Sequence, residues 1–548
     1  MTRIVKFQQG IAFESNTLYV GDQPEYHIHL EDAQVLHGLN GYGLPEGLAA
    51  GVSLRGLENV TIDLQGARLI FHGRIAPFFL DNCKNITLKN LSIDYDRPFY
   101  SQATILEAAN GRLRLQPDSE FPCGYVDGVF SAIAPTWTKP LTRGHVLMLP
   151  FDTQTRAPAF QGWPILASFA KNDDDRNPPM PITWLEEQTL PDGTWEWKGE
   201  IPETWQAGQI VVFTHEKRDK NAIFAAYCQN TVVENVRLLA CAAMGFVGFF
   251  CNDISLRRFD MYLDEKSRGL LSCNADSVHC FHCTGTILVE DCIFENMNDD
   301  AINVHGNYTR IDEILPDGSL KCSCPGAVGG GMHWYKNGDR LAVHLGATAE
   351  VRGEATVASV DYPENDGFLL RLETVGGFAC SAGDVLENMA MPELIIRRCV
   401  TGKNRPRGFL ISTAGKTLVE DCLFRNLCCA IHFTSDMTYW FESCPVRDVT
   451  IRRCHFQDCN YGGGAPIIAS PQVPLTENVR FVHSGITIED NIFENCSGRF
   501  LWAQDAKDVI FRRNRHIRSA FYKEIVPEDP AERVPVYLKN CHDCTIEL

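Results

Sequence analysis

The sequence predicts an all-β chain: a right-handed parallel β-helix from about residue 40 to the C-terminus, interrupted by two inserted small β subdomains of barrel-like pattern. Three observations predict it. A short β-branched strand motif recurs along the chain, followed by a polar or charged pair, then Cys or Asn, then an apolar residue and often Phe. Several intervals between copies, such as Cys399 to Cys422 and Asn491 to Asn514, are about 23 residues. Helical periodicity is missing. A period in the twenties built on short strands marks stacked coils, each unable to close a core alone.

Copies of the motif fall at 59–64, 85–91, 231–236, 254–259, 286–294, 394–399, 417–424, 449–456, 486–493, 509–514 and 545–548. Two long segments break the period. In the first, runs 102–107 and 112–115 flank Ala109-Asn110-Gly111; in the second, runs 355–360 and 368–372 flank a Gly/Asp turn. Such pairs read as hairpins. The two segments end alike, in Ala207-Gly208-Gln209-Ile210-Val211 and Ala382-Gly383-Asp384-Val385-Leu386, so they are expected to be related. The division that follows is 1–100 for the first coils, 101–209 for the first insert, 210–305 for the central coils, 306–384 for the second insert and 385–548 for the last coils.

The chain has 548 residues and a formal net charge of −19. Its basic residues form no patch, which argues against nucleic acid and anionic membranes as partners and favours a neutral substrate. No apolar run reaches the length of a transmembrane span, so a soluble protein is expected. The start, Met1-Thr2-Arg3-Ile4-Val5-Lys6, lacks a signal-peptide core. Two compartments stay open: the cytoplasm, or secretion or the periplasm with a leader removed. The 22 cysteines do not follow zinc spacing, since Cys280-Phe281-His282-Cys283 and Cys541-His542-Asp543-Cys544 lack partner pairs. Cys292, Cys399, Cys422 and Cys454 recur at one repeat position instead, and are expected to be reduced and inward-facing.

The chemistry concentrates between Asn274 and Gly306. Asn274-Ala275-Asp276-Ser277-Val278-His279 is echoed one repeat later by Asn298-Asp299-Asp300-Ala301-Ile302-Asn303-Val304-His305-Gly306. Aligning Asp276 with Asp300 sets Val278 on Ile302 and His279 on Asn303. Stacked coils lie about 4.8 Å apart, so three carboxylates would share one patch and shift one another's pKa. Strict alternation would put Asp276 on the same side as apolar Val278. The aspartates are therefore expected at the bend before the strand. Paired carboxylates on an extended β surface suggest glycoside hydrolysis. Binding of a hard cation by the three aspartates is the competing reading.

Asn274-x-Asp276-x-x-His279, Asp299-Asp300 and His305-Gly306 resemble the catalytic pattern of β-helical inverting glycosidases typified by polygalacturonases. With Phe71-His72-Gly73-Arg74 and Ser92-Ile93-Asp94-Tyr95-Asp96-Arg97-Pro98, the chain more closely resembles glycoside hydrolase family 110, the α-1,3-galactosidases acting on blood-group-B-type glycans. The likeness spans most of the chain, inserts included. It implies an inverting exo-α-galactosidase with no metal or organic cofactor, galactose-terminated glycans as partners and a homodimer. Asp276, Asp299 and Asp300 match the family's catalytic carboxylates. The internal alignment makes Asp299 the expected general acid, with Asp276 and Asp300 activating water about 6.5–9.5 Å away.

Expected substrate-binding residues are His279, Asn303 and His305 beside the aspartates, Glu265 and Arg268 one coil earlier, Trp334 after the glycines at 329–331 in the second insert, and Arg405. Arg405-Pro406-Arg407 is the nearest basic cluster, but it does not reproduce the Arg-Ile-Lys element that binds a uronate. Other enzymes of this fold, namely a polygalacturonase-like hydrolase, a lyase or an epimerase, are the alternatives. A non-catalytic glycan-binding β-helix is the reading from outside enzymology.

Overall fold

The computed structural model describes residues 3–141, 146–168, 182–215, 218, 220–325, 332–363, 367–475 and 481–548. Its body is a parallel β-helix. One coil runs through Val278–Phe281, Thr284–Glu290 and Ile293–Glu295 before the chain climbs into Ile302–Ile314. Each strand pairs in parallel with its counterpart one coil away, as Val278 does with Ile302 and Ile287 with Leu394. Alternate residues turn inward, so Ile287 and Val289 are fully buried while their neighbours are half-exposed. The inward side chains of all coils merge into one core. Along it Phe424, Phe456 and Phe493 stack at 4.9 and 4.8 Å. No helix among the described residues is long and apolar enough to cross a membrane.

Parallel pairing begins well before the expected residue 40. Arg3–Lys6 lies beside Thr17–Val20, and that strand lies beside Glu58–His72. Arg3–Lys6 is largely exposed, so it lacks the apolar alternation that betrays later coils.

A left-handed residue turns the corner between the second and third strands of a coil. Asp291, Arg398, Asp421, Arg453, Asp490 and Arg513 hold it, with φ between 52° and 57°. The next residue points inward: Cys292, Cys399, Cys422 and Cys454, all buried free thiols. Each S–H donates to the carbonyl two residues back, at 3.2–3.4 Å. A small side chain with a weak donor suits that place. Outside the corner, successive coils alternate in charge. Glu290 and Asp291 meet Arg397 and Arg398, Glu420 and Asp421 meet Arg452 and Arg453, and Glu489 and Asp490 meet Arg512 and Arg513.

Two β bodies leave the helix. An eight-stranded sheet spans Tyr100–Ala109 to Ile210–Thr214. Its edge strands, Ile182–Trp184 and Glu186–Thr189, are joined by Leu185 alone, so the sheet curls until both edges belong to one stretch of chain. Trp195, Trp197 and Trp205 fill it. The second body is a closed antiparallel ring of six strands: Ile302–Ile314, Leu320–Ser323, Phe368–Thr374, Val351–Asp361, Arg340–His344 and Val385–Asn388, which returns to the first. Ile302–Ile314 belongs to both bodies. Its start pairs within the helix and its end within the ring, so no loop separates ring from helix at this point.

Candidate active site

Register builds the site. Phe246, Val278, Ile302 and Phe409 pair in series along one ladder. Two residues before each stand Met244, Asp276 and Asp300, at the bend leading into the strand, and Arg407, the first residue of its strand. The column therefore runs from apolar to acidic to acidic to basic. Nearest oxygens of Asp276, Asp299 and Asp300 lie within 4.8 Å of one another. All three side chains are buried.

Arginines meet this charge. Arg407, stacked one coil beyond Asp300, grips it with Nε on Oδ1 at 2.8 Å and an Nη on Oδ2 at 2.9 Å. Arg405 donates to Asp299 Oδ1 at 3.0 Å and to the Asn298 carbonyl at 2.9 Å. Arg218, from the chain that returns from the first insert, pairs with the other oxygen of Asp299. Three guanidiniums thus occupy oxygens of Asp299 and Asp300 that a hard cation would require. Asn404 fixes the turn by donating to the carbonyls of Asp299 at 3.0 Å and Arg407 at 2.6 Å.

The two stacked aspartates differ in proton affinity. Burial works to raise the pKa of Asp276, but Arg218 and His279 outweigh it and the net shift is downward. Asp300 is shifted upward by burial, with Asp276 adding to the effect and Arg407 opposing it. Both oxygens of Asp300 accept from Arg407, an arrangement the carboxylate supports. Asp300 is therefore an ionised group of raised basicity.

A chain of imidazoles backs Asp276. His305 Nδ1 donates to the Gly306 carbonyl at 2.6 Å, which leaves its Nε2 as acceptor. His279 Nε2–H donates to that atom at 2.9 Å. The other nitrogen of His279 faces Asp276 Oδ2 at 2.5 Å, within hydrogen-bond reach. Burial pushes the His305 pKa down to about 4, consistent with a neutral ring. Asn303 lies in the same row as His279 and is buried. Its Oδ1, like those of Asn274 and Asn298, accepts no hydrogen bond among the described residues. Unpaired buried acceptors are exceptions that call for a donor.

A cleft of about 290 Å³ opens here, lined by Tyr42, Arg218, Asn221, His279, Trp440 and Glu442 among others. Trp440 is fixed by a tight turn in which Asp436 accepts from the backbone N–H groups of Thr438, Tyr439 and Trp440 at 2.6, 3.0 and 3.0 Å.

Three of the residues expected to bind substrate lie elsewhere. Trp334 is 3% exposed, packed on His282 in the apolar layer between ring and helix, so it offers no face to the cleft. The glycines at 329–331 before it lie outside the described residues. Glu265 is exposed on the loop before Asp276 and does not line the cleft. Arg268 bonds Asp118 and Glu120 of the first insert, which fixes it as a tie between the two bodies. Arg405 does reach the site, but onto Asp299. Arg218, Trp440 and Glu442 were not singled out from sequence, and Arg407 was named only within the basic cluster at 405–407. Only Arg407 had a signal, its place in the column of Asp276 and Asp300.

No family model matches the chain. Curated relatives do. The chain is 28% identical over 480 residues to an α-1,3-galactosidase B of Bacteroides thetaiotaomicron, covering 86% of this chain and 76% of that protein. An α-1,3-galactosidase A of Shewanella woodyi is 27% identical over 498 residues, covering 88% of this chain and 77% of its own. Among solved structures, a mannuronan C-5 epimerase A-module of Azotobacter vinelandii aligns over 97% of this chain and 91% of its own, at 8% identity and a TM-score of 0.34, too slight a likeness to bear on chemistry.

Proposed function

From the chain's homology with the α-1,3-galactosidases, the enzymes of glycoside hydrolase family 110, we propose that it is an exo-acting, inverting α-galactosidase releasing terminal α-1,3-linked galactose from glycans such as blood-group-B antigens. The observation that carries the reading is the aspartate column. Asp276 and Asp300 stand one above the other with opposite pKa shifts, and Asp299 sits beside them.

In this reading Asp300 and Asp276 hold and deprotonate water, and Asp299 protonates the leaving oxygen. Arg218 has a side chain 46% exposed and yields its place on Asp299 to the sugar. Each oxygen of the stacked pair accepts one hydrogen bond and keeps a second lone pair with which to hold water. Asp300 is held at both oxygens by Arg407, and Asp276 accepts from His279 and, at 3.3 Å, from the Asp300 N–H. The 4.8 Å approach of nearest oxygens is shorter than the roughly 6.5–9.5 Å between carboxyl groups usual for inversion. Stereochemistry is therefore the decisive measurement. Proton NMR of the first-formed product is expected to show β-galactose; α-galactose first would overturn the single-displacement reading. Asp299→Asn is expected to slow natural galactosides far more than activated aryl galactosides, which need no protonation. Selective rescue of Asp276→Asn and Asp300→Asn instead would exchange the roles.

A further inference from the structure

The column that holds Asp276, Asp300 and Arg407 continues one coil further, onto a pair of adjacent cysteines that the chemistry above does not use. Arg407 pairs with Cys429, as Phe409 does with Ile431. Cys428 precedes Cys429 as Asp299 precedes Asp300, and its N–H donates to the Pro406 carbonyl at 3.1 Å. The two thiols therefore stand two coils from the two aspartates, in the same rows. Coils about 4.8 Å apart put roughly 10 Å between the pairs. Arg405 and Arg407 come from the coil between them.

These cysteines differ from those at the corners. Cys292, Cys399, Cys422 and Cys454 belong to the apolar core of the helix, as do Ala430 and Ile431, but Cys428 and Cys429 do not. Cys429 is buried and Cys428 half-buried, so a small reagent can meet the sulfur of Cys428. Its neighbours favour the charged form of that sulfur. The S–H of Cys429 donates to it, and Arg407 and Arg405 stand beside it. Together they outweigh burial and hold the Cys428 thiol below its ordinary pKa, while Cys429 is pushed well above. Burial instead raises the half-buried thiols of Cys123, Cys380, Cys496, Cys541 and Cys544. The thiolate is the nucleophile, and guanidiniums beside a cysteine favour it. The same guanidiniums attract a reagent that carries carboxylates.

We propose that Cys428 is a modification site, which undergoes thiol–disulfide exchange with low-molecular-weight disulfides that carry carboxylates, the class of glutathione disulfide. The Cys428 thiolate attacks one sulfur of the reagent. Its S–S bond breaks as the new one forms, and the other half leaves as a thiolate that takes a proton from water. Cys428 is oxidised and the departing half reduced, so the reagent is the only oxidant needed. The carboxylates of the adduct compete with Asp299 and Asp300 for Arg405 and Arg407, which stops turnover. The site goes beyond the α-galactosidase reading, and only the loss of turnover rests on it.

The native protein is treated with glutathione disulfide or with cationic cystamine, and adducts are located by peptide mass mapping. Glutathione disulfide is expected to label Cys428 about tenfold faster than Cys496 or Cys541. Cystamine, scored by the same ratio, is expected to show a smaller preference. Hydrolysis of p-nitrophenyl α-galactoside should fall in step with labelling at Cys428 and return with dithiothreitol. Cys428→Ser should keep its activity in the presence of the disulfide. Labelling of Cys428 no faster than of Cys496 and Cys541 would refute the site. An equal preference from cystamine would refute the selection for carboxylates, and full turnover by labelled enzyme would refute the inhibition. If the untreated protein cleaves no α-galactoside, the galactosidase reading falls, while the mapping still decides the site.

Discussion

Arg407 stands one coil beyond Asp300 and takes both of its carboxylate oxygens, at 2.8 and 2.9 Å. Their side chains are 27% and 2% exposed, so the pair is largely withdrawn from water. Removing one partner leaves the other charge buried and unmatched. Arg407→Ala is expected to cost about 3–5 kcal/mol of stability. Adding Asp300→Asn to that variant should recover part of the loss. Urea denaturation of both variants checks this, and a double variant no more stable than the single would refute the pairing as the cause.

Arg218 is the strongest of the influences that lower the pKa of Asp276 against its burial. A base must be ionised, so activity is lost as pH falls through its pKa. Removing Arg218 raises that pKa, and the acid limb of the kcat/KM profile should move to higher pH by about 1 unit in Arg218→Ala. An unmoved acid limb would take Asp276 out of the base pair.

Buried histidines set the acid limit of the fold. Burial lowers the pKa of His305 to about 4 and of His282 and His483 to about 3, and puts His215 well below its ordinary value. The unfolded chain protonates them near pH 6.5, so below that pH it binds more protons than the native state. Stability is present above about pH 6.5 and should fall at lower pH by about 1.4 kcal/mol per pH unit for each such histidine, until the folded pKa is reached. Denaturation midpoints at pH 7.5, 6.5 and 5.5 read this. Equal midpoints at 6.5 and 5.5 would contradict it.

Two tryptophans should fail differently. Trp440 lines the cleft on a turn fixed by Asp436, so Trp440→Ala should raise KM about tenfold with little change in stability. Trp334 is buried between ring and helix, so Trp334→Ala should cost about 3–5 kcal/mol. Steady-state kinetics and thermal melts on both variants separate the cases.

Local sequence carried the strand motif, the inward cysteines and the alignment of Asp276 with Asp300, because coils that stack in register repeat their residue types in register. Arg407 obeys the same rule, yet 107 residues separate it from Asp300 because the six-stranded ring intervenes. Arg218 lies outside any repeat, on the chain leaving the first insert, and Trp440 sits on a turn beyond the ladder. Trp334 misled because a tryptophan after glycines resembles a sugar platform, whereas the ring needed it to seal against the helix. Arg3–Lys6 went unseen because an end coil has one open side and carries polar residues there.

The corner of the helix counts differently from its backbone. The backbone repeats every coil, but acidic and basic corners alternate, so the charge pattern repeats every second coil. A coil gained or lost singly between Glu290 and Arg513 would set like charges against each other about 4.8 Å apart. A change of two coils would keep every acid on a base. The natural unit by which this part of the chain can lengthen or shorten is therefore a pair of coils, and a misthreaded helix slipped by one coil is rejected at its surface as well as in its core.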